Sequence, residues 1–188
     1  MRPPSLYTTR LQLRLIEPTD AAFILRGLSD KRVTAYYAVH YDTPEAVQEQ
    51  MQFYQNLLQE GSGAWWAFSR NGDSELMGAC GLSSVSQEHR KGELGFWLLP
   101  EHWGNGYIPE AAGAILKYGF EQLGLHRIEA IVEGGNAPSE RVLQKLGFAY
   151  EGKLRECELK HHRFIDLLYY SLLETDLSSP AKTEARQV

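Results

Sequence analysis

Apolar and polar residues alternate along Leu11-Gln12-Leu13-Arg14-Leu15, the period of a half-buried strand. Pro18-Thr19-Asp20 then opens a short helix carrying Phe23, Ile24 and Leu28. Thr43-Pro44-Glu45 predicts a second helix start, with a Thr cap, a first-turn Pro and an acid near the positive dipole end. Val47, Met51, Tyr54 and Leu58 follow at helical spacing, and Gly61 is placed to stop the helix. Residues 65–69 read as a strand, Asn71-Gly72 as a hairpin turn, residues 76–82 as its return and residues 93–99 as a third sheet strand. A helix is predicted over 109–123, with Ala112, Ile115, Leu116, Phe120 and Leu123 on one face and Gly124 closing it. A strand follows at 127–132, where Ile128, Ala130 and Val132 share a face, then a short helix at 138–146 ended by Gly147. Strands near 152–160 and 165–173 finish the pattern.

This order predicts a mostly antiparallel sheet with one strand–helix–strand crossover, hence one parallel strand pair. The length of 188 residues fits one domain. Residues 178–188 are small and polar and read as a frayed tail. With 24 acids against 19 bases, the net charge of −5 argues against a general nucleic-acid binder, though not against a small anion site. Cys80 and Cys157 are too few and too far apart for a disulfide scaffold or a zinc site, and read as reduced packing thiols of a cytoplasmic protein. Neither a signal peptide nor a run of about 18 apolar residues is visible, so no membrane role is expected. His161-His162, without a third ligand, read as a solvated turn, and no metal is expected. Trp65 and Trp66 read as one core and one surface aromatic.

Candidate chemistry concentrates in Trp103-Gly104-Asn105-Gly106-Tyr107-Ile108-Pro109-Glu110, between a strand and a helix. Two glycines permit a sharp turn and close backbone approach, and the helix behind points its free N–H groups at the loop. Taken alone, the loop reads first as a tight strand–helix turn. A dinucleotide fingerprint fails because Pro109 stands where a third small residue is needed, and the Gly-Lys-Ser/Thr of a P-loop is absent.

The loop does not stand alone. Thr9-Arg10-Leu11-x-Leu13-Arg14 precedes it, and Gly95-Phe96-Trp97-Leu98 with Pro100 leads into it. Gly124-Leu125-His126-Arg127-Ile128-Glu129-Ala130, Asn136-x-x-Ser139, Lys145-Leu146-Gly147-Phe148 and Asp166-x-x-x-Tyr170-x-Leu172-Leu173 follow. Together, over residues 6–177, these resemble the GCN5-related N-acetyltransferase (GNAT) superfamily, and within it the ribosomal-protein (RimJ/RimL-like) branch.

The resemblance implies a single α/β GNAT domain with a mixed, mostly antiparallel sheet flanked by helices. It implies acetyl transfer from acetyl-CoA, the cosubstrate, to a primary amine by direct attack. Gly104, Asn105, Gly106, Tyr107 and Ile108, with Trp103 at the loop's start, would hold the pyrophosphate. Phe96, Trp97 and Leu98 would pair with the pantetheine arm, Asn136 would bond the cofactor, and Ser139 would lie near the sulfur and protonate the leaving thiolate. Leu143 stands where many relatives have a Tyr acid. Glu93 reads both as a general base and as an ordinary strand-end acid. Glu129 is weaker, because alternation sets it opposite Ile128 and Ala130. Tyr36, Tyr37, His40 and Tyr41 fall where the family builds its acceptor pocket, and read equally as loop packing. A protein or peptide N-terminal amine leads as acceptor. A small amine, polyamine or aminoglycoside-like drug, or a non-catalytic acyl-CoA-binding module, stands as the alternative. The expected state is a monomer or homodimer.

Overall fold

The computed structural model describes residues 2–178 of the chain. Eight strands form one sheet in the order β1-β2-β3-β4-β5-β6-β8-β7. They are β1 (Leu6–Tyr7), β2 (Leu11–Leu15), β3 (Ala64–Arg70), β4 (Gly78–Ser86), β5 (Lys91–Leu98), β6 (Arg127–Glu133), β7 (Ala149–Lys160) and β8 (Arg163–Leu173). The helices are α1 (Ala21–Leu28), α2 (Lys31–Thr34), α3 (Val47–Glu60), α4 (Tyr107–Glu121) and α5 (Ala137–Lys145). Among the pairs in this order, β5–β6 is parallel, as the crossover through α4 requires.

Alternation along β2 sends Leu11, Leu13 and Leu15 into a core beneath α4 and α5, with Ile115, Leu116 and Leu143. A second core on the other face joins α1 and α3 to the sheet through Ile24, Leu28, Met51 and Tyr54. This two-sided cover corrects the reading of the tryptophans. Trp65 and Trp66 are both buried, each in its own core, because neighbouring strand residues face opposite sides and neither side is open. Trp66 meets Tyr118 edge-on, and Trp65 packs against Tyr54.

The helix signals hold with small shifts. Thr43 Oγ accepts from Ala46 N at 3.1 Å, and regular helix starts one turn on, at Val47. Gly61 ends it in the left-handed region. The strand returning after Gly72 runs later than expected, from Gly78 to Ser86, with an irregular stretch before it. The β7–β8 hairpin turns at His161 and His162, both at positive φ. Cys80 is buried, but Cys157 is exposed on β7, so only the first is a packing thiol. Among the described residues, no helix is long and apolar enough to cross a membrane. The tail expected at 178–188 lies outside the described residues beyond Ser178.

Candidate active site

The parallel pairing of β5 and β6 spans three residues, from Lys91↔Arg127 to Glu93↔Glu129. Beyond Glu93 the strands part. β5 stays with β4 up to Leu98, and β6 follows β8 along its whole length. Two adjoining cavities open at the gap. One, of about 770 Å³, reaches from Phe96, Trp97 and Leu98 past Trp103, Gly104, Gly106, Tyr107 and Ile108 to Asn136 and Ser139. The other, of about 610 Å³, includes Glu93, Trp65, Glu133, Lys160 and Tyr169. Tyr36, Tyr37, Phe96, Asn136 and Ser139 line both.

The first cavity has the size and the open helix end that a large anion-bearing ligand needs. Gly106 caps α4 with φ +73°, a conformation that favours glycine. The helix begins at Tyr107, two residues earlier than expected, and its first bond runs from Glu110 N to Gly106 O at 3.4 Å. The N–H groups of Tyr107 and Ile108 therefore fall in the unpaired first turn, where an anion is favoured. Pro109 also lies there, so its missing N–H costs no helix bond. Asn105 lies outside the lining. Its side-chain amide donates to the carbonyls of His102 and Trp103 at 3.1 and 3.0 Å, knitting the loop internally. Trp103 is half exposed, with Nε1 donating to Leu98 O at 2.8 Å. The Trp97 indole packs against Phe23 in the opposite core, leaving its backbone for the cavity.

Asn136 caps α5, its Oδ1 accepting from Ser139 N at 3.3 Å. Arg32, Arg141 and Lys145 add positive charge to the cavity wall. Arg141 and Lys145 share a helix face, so their i, i+4 spacing was a readable signal. Arg32 comes from α2, which periodicity did not reveal, and it is already bonded to Asp30 at 2.6 Å.

Glu93 lines the second cavity and its strand neighbour Glu129 does not. Direct register places Glu129 on the same sheet face as Glu93. The alternation that removes Glu129 from the core thus brings it beside Glu93. Yet its carboxylate is tied to Arg127 at 2.8 Å and Lys91 at 3.4 Å. Glu93 is mostly buried and has no such tie. Its pKa is raised first by burial and then by Glu129, with Lys91 opposing. A carboxylate in that state is a stronger base than one in water. Tyr37, only partly covered as a residue, has its hydroxyl pKa raised by burial and further by Tyr54, Cys80 and Glu93. Tyr36 joins it in both linings and Tyr41 lines the second, whereas His40 is engaged by Thr34 and Asp42.

Known proteins agree with this geometry. The solved spermidine N-acetyltransferase of Vibrio cholerae, in complex with CoA and spermine, superposes with TM-score 0.81 at 23% identity, covering 92% of this chain and 100% of that one. The ribosomal-protein-S5-alanine acetyltransferase of Vibrio fischeri gives 0.80 at 22%, covering 93% and 98%. These two speak for the fold. The sequence carries the rest: it is 37% identical over 172 residues to the N-acetyltransferase YoaA of Bacillus subtilis (strain 168), over 91% of this chain and 97% of that protein. The acetyltransferase (GNAT) domain family matches residues 10–149, which include both β5 and the loop at the start of α4. The chain therefore belongs to the GNAT family of N-acetyltransferases.

Proposed function

We propose that this enzyme moves the acetyl group of acetyl-CoA to a protein or peptide N-terminal amine. The cosubstrate would occupy the larger cavity and the acceptor the smaller. The observation that carries the reading is the junction: two cavities of different chemistry meet at Phe96, Asn136 and Ser139, with Glu93 on the acceptor side.

The residues fit the cosubstrate. Tyr107 and Ile108 offer N–H groups, with the loop's Gly104 and Gly106, to a pyrophosphate, and Arg141 and Lys145 offer charge to phosphate. The edge of β5 at Phe96, Trp97 and Leu98 is not taken by β6, so it can pair with the amides of a pantetheine arm. When bound, acetyl-CoA supplies an activated thioester carbonyl. Glu93 takes a proton from the acceptor ammonium, directly or through water, and frees the amine lone pair. A β5 backbone N–H near Trp97 or Leu98 stabilises the developing oxyanion. As the new C–N bond forms and the C–S bond breaks, Ser139, on the first turn of α5, protonates the departing thiolate and regains a proton from the acylated nitrogen. No metal takes part. The unit spans residues 6–177 and acts in the cytoplasm as a monomer or homodimer.

The acceptor class rests on the open apolar wall of the second cavity, where Ile131, Leu159, Ile165 and Leu167 can take the side chains that follow an N-terminus. A polyamine is the second reading. Glu49, Glu93, Glu133 and Glu158 line the same cavity with Lys160 as their cationic neighbour, which suits a polycation. Thiol release from acetyl-CoA should be measured with N-terminal peptides, spermidine and simple monoamines side by side. The expected result is the highest kcat/KM on peptides. Turnover confined to spermidine would replace the first reading with the second.

A further inference from the structure

We propose that Arg10 is a positioning residue for the pyrophosphate loop. It braces the segment from Asn105 to Glu110 from outside the cavity. The inference rests on the cosubstrate reading above.

Arg10 lies in the turn between β1 and β2, far from the loop in sequence. Its Nε donates to Glu110 Oε2 at 2.6 Å and its Nη1 to the Asn105 carbonyl at 3.1 Å. Its backbone N donates to Glu110 Oε1 at 2.9 Å. The guanidinium carbon stands 4.8 Å from the Tyr107 ring centre. A Cβ built on Gly106 would point at Arg10 Nη2, 3.7 Å away. One side chain thus touches the loop at 105 and 107 and the first turn of α4 at 110. Arg10 does not line the cavity, so it acts through the loop.

Two physical needs meet here. Gly104 and Gly106 are both at positive φ, and such glycines lose much conformational entropy when fixed. A loop held before the ligand arrives spares that cost at binding. Glu110, moreover, sets a carboxylate in the first turn of the helix that receives the anion. Burial opposes its ionisation, but bonds from Thr8 and Arg10 outweigh this and hold its carboxyl below the usual range. Ionised and uncompensated, it would repel a pyrophosphate. Arg10 cancels that charge while its planar fork fixes the geometry, which the point charge of Lys does not do.

The test compares acetyl-CoA with S-acetyl-pantetheine, which carries the thioester but no pyrophosphate. Arg10→Ala should raise KM for acetyl-CoA about tenfold, the scale of one lost charge-assisted bond network. It should change kcat by less than about twofold, the expectation for a group that supports binding alone. Turnover of acetyl-pantetheine should be unchanged. Arg10→Lys, which keeps the charge and is the milder change for folding, should recover only part of the acetyl-CoA KM. Equal losses on both cosubstrates, or an unchanged acetyl-CoA KM in both variants, would overturn the inference. Calorimetry on the wild-type chain separates the two levels. Absence of coenzyme A binding there removes the cosubstrate reading itself, whereas tight binding in wild type and in Arg10→Ala alike removes only the brace.

Discussion

Glu93→Gln should separate catalysis from stability, and the structure gives both signs. Glu93 closes the paired part of β5–β6, beside Glu129. Its partner's charge is absorbed by Arg127 and Lys91, while its own is left mostly buried and unpaired. Burial, then Glu129, raise its pKa against the pull of Lys91. If Glu93 is the base, the amide variant loses a proton acceptor and little else. General-base catalysis contributes typically 10²–10⁴-fold, so kcat/KM should fall at least about 100-fold, close to 2.7 kcal/mol of transition-state stabilisation. Stability should move the other way or not at all. A carboxyl whose folded pKa is raised binds its proton more tightly in the folded state, so wild-type stability falls as pH rises from the unfolded pKa through the folded one. Below about pH 4, where Glu is protonated in both states, wild type and variant should melt alike. At neutral pH the variant should equal or exceed wild type.

The assay is free-thiol release across about pH 5 to 9, the span in which such bases titrate, with melting curves in the same buffers. The wild-type acid limb should lie above the ordinary carboxylate range and vanish in the variant. A variant with wild-type rates, or one that keeps the limb, removes Glu93 from the mechanism. A variant that is slow and also melts earlier at neutral pH would mean that Glu93 holds the fold instead.

Two further substitutions probe the frame around the site. A Cβ on Gly95 would stand 2.6 Å from the Trp65 ring, so Gly95→Ala must displace a wall of the acceptor cavity; overpacking of this kind costs about 1–3 kcal/mol. Steady-state kinetics should show KM rising for the acceptor more than for acetyl-CoA, and the reverse order would mean that Trp65 does not bound the acceptor. Asp20 is buried, accepts a fork from Arg14 at 2.7 and 2.8 Å, and bonds Glu17 N at 2.8 Å. Asp20→Asn should destabilise by about 1–3 kcal/mol at neutral pH, the low end for a broken buried pair, because Arg14 keeps water on one side. Burial opposes ionisation of Asp20, but its bonds to Arg14 and Glu17 prevail and lower its pKa. That stability is present above the unfolded value and lost as pH falls through the folded one, so the gap in denaturant midpoint should close in acid.

Periodicity made most of the frame legible because most elements have one wet side. Leu11 to Leu15 alternate onto a core, and the apolar face of α4 repeats on the helical period. Reading failed where burial is two-sided or where a partner is remote. Trp65 and Trp66 sit in a strand covered on both faces, so adjacent apolar residues carried no information about which was exposed. In the site, the loop from Trp103 to Ile108 stood out by local spacing and the pair Asn136 and Ser139 through the family resemblance; all but Asn105 line one cavity. Arg10, Arg32 and the proximity of Glu129 to Glu93 were not, because each is fixed by register or by packing across the sheet. The Asn105 side chain serves the loop itself, which its position in the sequence did not reveal.

The site lies where one strand pairing ends. Over Arg127–Glu129, β6 pairs with β5 on one edge and β8 on the other; from Ala130 to Glu133 it keeps only β8, while β5 keeps β4 up to Leu98. Parallel pairing survives for three residues and then gives way. An open strand edge inside a domain is costly unless something pairs with it or water reaches it. Here the Trp103 indole takes the Leu98 carbonyl at the far end, and Glu93 marks the near end. Between them lies a slot whose backbone suits an extended chain of amides, with the Glu93 carboxylate at its vertex and the first turn of α4 at its mouth. Side chains then refine what the backbone has set. On the proposed function, that division would let a protein of net charge −5 hold a pyrophosphate: peptide N–H groups would supply most of the attraction, leaving the acidic residues of the second cavity to draw in an ammonium.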